Sequence, residues 1–445
     1  MADEDKQASG DNISEEDSSK RSAPAGFDSW TEYWKAQGMP WRTEPEIESE
    51  RQAYLAARRT VTPDIEHGIY PFRDARGSIK LTRADVEWLL ATHDDGRFRG
   101  PVDWSDKKQR ERQGLDMRGC DVAEVDLSYL PLARLRGAFA ADELQEMPRR
   151  ERHLAVAHLE RANLFGAHLE FSELARVRLQ GADLTQACLS GANLFASHLE
   201  GVNFTNARMD GVTLRNAYLS DSVYLFGAVV GSAEYGGFLV ADVRWGGVNL
   251  ATANWDSVRM LGDELVVRQS SFLAGVKKSR YVSLSKVERA VRANRQLAIE
   301  LRAQGLNERA DYFAYRAQVL QRQVLRRQSR LGRTLGSWLL DLIAGYGYKP
   351  IRSVITYLLV ILSFAAAYFA LTNFVLTPFL PSHSSPLAWY EAIVLSISSF
   401  HGRGLFPSGL SLGDPIAILA AFEAIIGLLI EITFIATFTQ RFFAR

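Results

Sequence analysis

Three charged side chains near the carboxy terminus stand where charge is expensive. Glu423 and Glu431 are the two charged residues of the apolar run Pro415–Thr439, and Arg403 is the one Arg or Lys between Asn373 and Pro415. A charge at mid-bilayer costs several kcal/mol when it faces lipid, so each of these should face a bundle interior or a partner. The chemistry open to them is electrostatic. Rings of carboxylates attract cations, and rings of guanidiniums repel them. Around Arg403 lie Ser398, Ser399, Phe400, His401, Gly402 and Gly404. Glycines there permit the backbone angles that turn carbonyls toward an ion. Gly427, inside AFEAIIGLLIEI, suits either a hinge or a close helix contact.

The elements that must position these groups are two long apolar runs and a short one. Residues 351–373 hold one charge, Arg352, and residues 415–440 hold the second long run. About 20 apolar residues cross the hydrocarbon core, so both are long enough. Residues 386–407 begin with PLAWYEAIVLSISSFHGRG, too short to span but able to enter and return. At about 1.5 Å per residue, Glu423 lies about 10 Å below the outer start of its helix and Glu431 about 12 Å further in.

Span, dipping segment and span together resemble the pore domain of two-transmembrane potassium channels. That resemblance implies a tetramer, each copy giving a quarter of a pore, with an inorganic ion as the transported partner. Ser398 and Ser399 match the Thr pair that ends the pore helix of that family. Gly402 and Gly404 flank Arg403 where the family has Tyr, and an alignment anchored on Pro407 slips by one residue. The potassium signature is therefore absent, and the permeant ion stays open. Four luminal copies of Arg403 would repel cations, whereas an Arg403–Glu423 ion pair would leave a neutral, weakly selective loop. Glu423 is then an ion contact or a structural ion pair. Glu431 is a cation-attracting ring or packs on Thr433 or Thr437 of a neighbour. Gly345-Tyr346-Gly347 precedes the first span and cannot form the filter.

Upstream lies a repeat of five. Leu154, Leu159, Leu164, Leu169, Leu174, Leu179, Leu184, Leu189, Leu194, Leu199, Phe204, Met209, Leu214 and Leu219 recur at every fifth position. Two residues before each, from Ala157 to Ala217, stands Ala, Ser or Val. After Leu219 the register slips by one and resumes at Leu225, and Met117, Val122, Leu127 and Leu132 show the same step earlier. Asp142–His153 interrupts it, as a helical excursion would. A period of five fits neither helix nor flat strand. It fits a chain that turns a corner every five residues, with the large residue and its small partner inward. The pattern resembles the pentapeptide-repeat family, which implies a right-handed quadrilateral β-helix over 115–275. Six to eight coils at about 4.8 Å each give a rod of roughly 30–40 Å.

The fold class expected is multi-domain: this β-helix, an α-helical linker, and an α-helical two-span membrane domain with a re-entrant pore loop. Residues 1–26 read as a disordered acidic tail, and 27–114 as a helical region capping the first coil. Thr82 and Asp85 form a capping box for a helix over Arg83–Ala91. Residues 283–348 read as a helical hairpin, with Ser285 and Glu288 as a capping box, followed by an interfacial helix over Leu335–Ile343. Arg322, Arg326, Arg327, Arg330, Arg333, Lys349 and Arg352 precede the first span and Arg441 and Arg445 follow the second. The positive-inside rule then puts both termini in the cytoplasm of a multi-pass protein in the cell membrane.

Formal net charge is zero, which gives no nucleic-acid signal. Some pentapeptide-repeat proteins mimic DNA and bind gyrase. Residues 115–260 hold 18 Asp and Glu against 13 Arg, only mildly acidic, and lie upstream of apolar spans. His158, His168 and His198 fall on rod faces beside Asn163, Arg178 and Thr213, read as a solvated face rather than a zinc site. Cys120 and Cys188 are far apart in a polar, reducing region, so no disulfide is expected. The chain holds no nucleophile–base pair, metal spacing or phosphate loop, so no enzyme, metal or cofactor is expected. The partners expected are lipid, copies of itself, an ion, and an unidentified protein for the rod. A non-conducting membrane-anchored scaffold or sensor is the alternative reading.

Overall fold

The computed structural model describes residues 22–140, 143, 152–273, 284–375, 387–402 and 414–443. It divides into two bodies, residues 1–279 with 300–306, and residues 280–299 with 307–445. In the first body, helices α1 (Trp30–Ala36), α2 (Ser49–Arg59) and α3 (Arg83–Ala91) surround a hairpin of β1 (Arg73–Asp74) and β2 (Gly77–Lys80). The capping box expected for α3 is present: Thr82 Oγ accepts from Asp85 N–H, and the Asp85 carboxylate accepts from Thr82 N–H. Strand β2 pairs in parallel with β3 (Cys120–Asp121), so this region supplies the hydrogen-bond partners of the first coil.

The coils that follow are four-sided. His158 pairs with Arg178, Arg178 with His198 and His198 with Tyr218, each one turn of twenty residues on. Asn163, His168 and Glu173 start three parallel ladders of the same step. The large and small positions all point inward: Ala157, Leu159, Ala162, Leu164, Ala167 and Leu169 are buried, and the pattern holds through Ala217. A fully buried Leu contributes about 1.5–3 kcal/mol relative to exposure, and stacking lets every coil bury its Leu on the next.

Each corner is closed by a hydrogen bond three residues back, as from Ala162 N–H to Leu159 C=O at 3.2 Å. The third residue of each turn is left-handed, with φ of 56° at Arg161, 63° at Gly166 and 71° at Gly181. Type II turns require this, and glycine supplies it without strain. Past Leu219 the pairing widens to twenty-one residues between Asn203 and Tyr224. An extra hairpin of β4 (Gly231–Ser232) and β5 (Gly236–Gly237) then bulges out.

The coils end earlier than 275. Helix α4 (Gly262–Leu273) follows the last corner and is tied down by buried Asp263, which accepts from Arg215 Nε at 2.7 Å and Val240 N–H at 2.7 Å. The excursion expected over 142–153 lies mostly outside the described residues. Gln304 donates from its amide to Val248 C=O at 2.8 Å and accepts from Leu250 N–H at 2.7 Å. It pairs there as one more strand residue would.

The second body is helical: α5 (Leu284–Ala303, of which residues 300–303 belong to the first body), α6 (Asn307–Arg327), α7 (Leu331–Ala344), α8 (Pro350–Ala370), α9 (Trp389–Phe400) and α10 (Pro415–Phe443). Helix α5 already runs through Ser285, so Ser285 is not its N-cap. Residues 350–374 and 415–436 are each long and apolar enough to cross a membrane.

Candidate functional site

The site forms where α9 packs against both α8 and α10. At its start, the Glu391 carboxylate accepts from Ala388 N–H at 2.8 Å, satisfying one of the orphan donors of a helix N-terminus. One face of α9 is buried through Ala392, Leu395, Ser396, Ser399 and Phe400. Phe400 clusters with Ile343 and Ala344 of α7, Ile361 of α8 and Ile430 of α10. Its carbonyl oxygen lies where a Cβ on Gly427 would sit, 2.2 Å from that position. Gly427 is thus a close-packing glycine under the end of α9, and α10 passes it as one continuous helix.

Glu423 sits on the same buried stripe, fully enclosed. Tyr368 O–H donates to its Oε2 at 2.7 Å, and Ser396 Oγ lies 2.5 Å from its Oε1. Ser396 Oγ also lies 2.9 Å from Ile361 C=O. One carboxylate thereby joins all three helices by hydroxyls, with no cation among these contacts. Arg403 and Gly404, the rest of the expected pore loop, lie outside the described residues.

His401 caps α9 from outside the packed core. Its Nδ1 is 2.8 Å from Ile397 C=O, and a carbonyl only accepts, so Nδ1 carries a proton. Nε2 then faces Tyr357 O–H at 3.4 Å and Glu431 Oε1 at 3.4 Å. Val354, Phe434 and Ile435 complete a cavity of about 480 Å³ around these three. The structure therefore brings His401 to Glu431, whereas Thr433 bonds back to Leu429 C=O of its own helix. Gly402 is exposed with φ of 67°.

Asp341 of α7 forms a second junction. It accepts from Arg322 of α6 at 2.9 Å, Arg352 of α8 at 3.2 Å and Tyr315 O–H at 3.1 Å. Burial, then the bond to Asp341, pushes the Tyr315 phenol up. Gly345-Tyr346-Gly347 forms a tight turn beside it, where Tyr346 O–H meets Ser337 Oγ at 2.7 Å. Tyr368, Ser396 and Tyr357 escape a reading that looks for charges and glycines, whereas Asp341 is visible as the one acid of Leu335–Ile343 but its partners are not. Hydroxyls inside apolar runs are the signal that could have found the first three.

Comparison with known proteins bears on the rod. Residues 157–194 and 187–223 match the family model described as pentapeptide repeats, in eight copies, so this stretch consists of pentapeptide repeats. Among solved structures, HetL, a pentapeptide repeat protein involved in heterocyst differentiation regulation from the cyanobacterium Nostoc sp. strain PCC 7120, is similar at 24% identity and TM-score 0.23. That match covers 29% of this chain and 51% of HetL, so the chain spans about half of that relative. The pentapeptide repeat protein Rfr23 from the cyanobacterium Cyanothece 51142 is similar at 22% identity and TM-score 0.19, covering 32% of this chain and 90% of that one. QnrB1, a plasmid-mediated fluoroquinolone resistance protein, is similar at 15% identity and TM-score 0.15, covering 35% of this chain and 85% of that one. No curated protein matches the chain.

Proposed function

We propose that this protein is an ion-conducting membrane protein. In this reading α8 and α10 span the bilayer, α9 re-enters between them, and four copies surround one pore. The pentapeptide-repeat rod is a cytoplasmic sensor or docking arm. The observation that carries the reading is the packing of α9. A helix of 12 residues, too short to cross, is held against both long apolar helices and meets their middles at Ile361 and Ile430. Exposed apolar surface adds support. Phe422, Ile425, Leu428, Leu429, Ile432 and Ile435 of α10 all stand outside the single-copy core. A soluble helix would not leave such a surface uncovered, whereas lipid and neighbouring copies would cover it.

Within this reading Glu423 holds the re-entrant helix in place and is not an ion ligand. His401 and Glu431 are the titratable groups nearest the inner end of the loop. The test is ion flux into liposomes carrying the full chain, under a bi-ionic gradient. Conduction gives a voltage-dependent flux, and Arg403→Ala shifts its reversal potential when Arg403 lines the lumen. Flux no greater than that of empty liposomes at every potential rejects a channel and leaves a membrane-anchored scaffold.

A further inference from the structure

The rod carries a cluster that the pore does not use. His168, Glu170 and Cys188 each offer one ligand atom, and the three atoms lie within 4.8 Å of one another. The coil geometry puts them there. His168 and Glu170 flank inward-pointing Leu169, so both stand on the outside of one coil, and His168 pairs directly with Cys188 on the next. His168 Nδ1 is 3.2 Å from Glu170 Oε1. Glu170 is the unusual member. Its Oε2 is buried with no hydrogen-bond partner, as are those of Glu160 and Glu200, but its side chain is only 7% exposed against 27% and 39% for theirs. A buried carboxylate oxygen left unpaired is destabilising, and a bound cation would satisfy it.

We propose that His168, Glu170 and Cys188 bind a divalent cation of the zinc class. An imidazole, a carboxylate and a thiolate are the donor set such a borderline-soft ion takes, at about 2.0–2.3 Å from each. Tetrahedral donors at those lengths stand roughly 3.3–3.8 Å apart, so small side-chain rotations close the present cluster on an ion. Three protein ligands leave a fourth position for water or a ligand. His168 and Glu170 also line a cavity of about 1150 Å³, with Trp104, Arg110 and Pro131, through which an ion can enter. Binding forms the metal–sulfur bond as the Cys188 thiol proton leaves to solvent.

The rod supplies its own comparisons. The same His-x-Glu pair recurs at His158–Glu160 and His198–Glu200, at 3.7 Å and 3.3 Å. There the next coil places Arg178 near Glu160 and stacks Tyr218 on His198 instead of offering a thiol. Among the described residues a cation finds no third His, Cys, Asp or Glu ligand at either.

The test uses the purified full chain, freed of metal and titrated with Co²⁺ alone. One equivalent should bring a thiolate-to-cobalt charge-transfer band with four-coordinate visible bands, and Zn²⁺ should bleach both. Cys188→Ser should abolish the charge-transfer band, Glu170→Gln should weaken binding by about tenfold or more, and His198→Ala should change neither. A second readout needs no variant. Cys120 is fully buried, so alkylation of the native chain reports Cys188, and Zn²⁺ should slow it. Absence of the charge-transfer band in the wild-type chain, its survival in Cys188→Ser, or alkylation indifferent to Zn²⁺ overturns the site. None of these outcomes depends on whether the chain conducts ions.

Discussion

The rod and the helical body are both rich in Leu and Ala but use them in opposite ways. In the rod each large residue is consumed internally: Leu164, Leu184, Leu194 and Phe204 are at most 1% exposed, and the residue before each is polar, Asn163, Asp183, Asn193 and Asn203. In α10 the buried positions among the described residues form the stripe Ile416, Ala420, Glu423, Gly427 and Ile430. Leu428 and Ile432, both 57% exposed, belong to a larger apolar surface that the described residues leave uncovered. The lesson concerns the solvent each was built for. A polar exterior with a closed apolar column fits water, and an apolar exterior around a polar seam fits lipid. Even the buried acids follow this division. Asp263 in the rod is met by a guanidinium and backbone amides, and Glu423 in the bundle by two hydroxyls.

The contrast breaks or holds most visibly under truncation. Leu194→Ala should destabilise the rod by about 2–5 kcal/mol, read as a shift in its denaturant midpoint. Leu428→Ala should change thermal stability in detergent by well under about 1 kcal/mol, because no packed partner is lost. Equal effects at the two positions would erase the distinction. A smaller effect is expected from volume added in the helical body. Gly427→Ala drives a methyl into the Phe400 carbonyl and should lower stability by about 1–3 kcal/mol. Gly336→Ala in α7, where a Cβ meets nothing within 4 Å, should be neutral or stabilising by up to about 1 kcal/mol. The polar seam is worth about as much. Glu423→Ala strands the hydroxyl of Tyr368, while Ser396 keeps Ile361 C=O, and should cost about 1–3 kcal/mol in a detergent melt. Glu423→Gln should be milder by about 1 kcal/mol. Its amide accepts from Tyr368 and donates to Ser396, whose own proton then goes to Ile361 C=O.

Much of this organisation was legible in the sequence, for physical reasons that differ by region. The five-residue period survives reading because one buried column fixes Leu and Ala at set places. Half of the corner chemistry was also visible, since Gly166, Gly181, Gly191, Gly201 and Gly211 stand two residues after the large position. Arg161, Phe171 and Arg176 adopt the same left-handed angle without any such sign, carried by the coil around them. The end of the rod was not legible, because α4 continues an apolar stretch and its anchor, Asp263, finds partners 22 to 48 residues away. Glu423 was found by its charge, but its partners were not. They are neutral hydroxyls 27 and 55 residues distant, and a search for opposite charge passes over them. His168 read as part of a solvated face, and Glu170 and Cys188 were not joined to it, although a coil of twenty residues already sets His168 beside Cys188.

The central claim is that α9 enters the bilayer between the two long helices. Spin labels on Tyr390→Cys and Ile397→Cys, one at a time in a cysteine-free background, test it through their depth in reconstituted vesicles. Seven helical residues rise about 10 Å, so a re-entrant α9 places the 397 label deeper than the 390 label by up to that distance. Equal, shallow depths for both labels would lay α9 flat on the membrane surface and contradict the account.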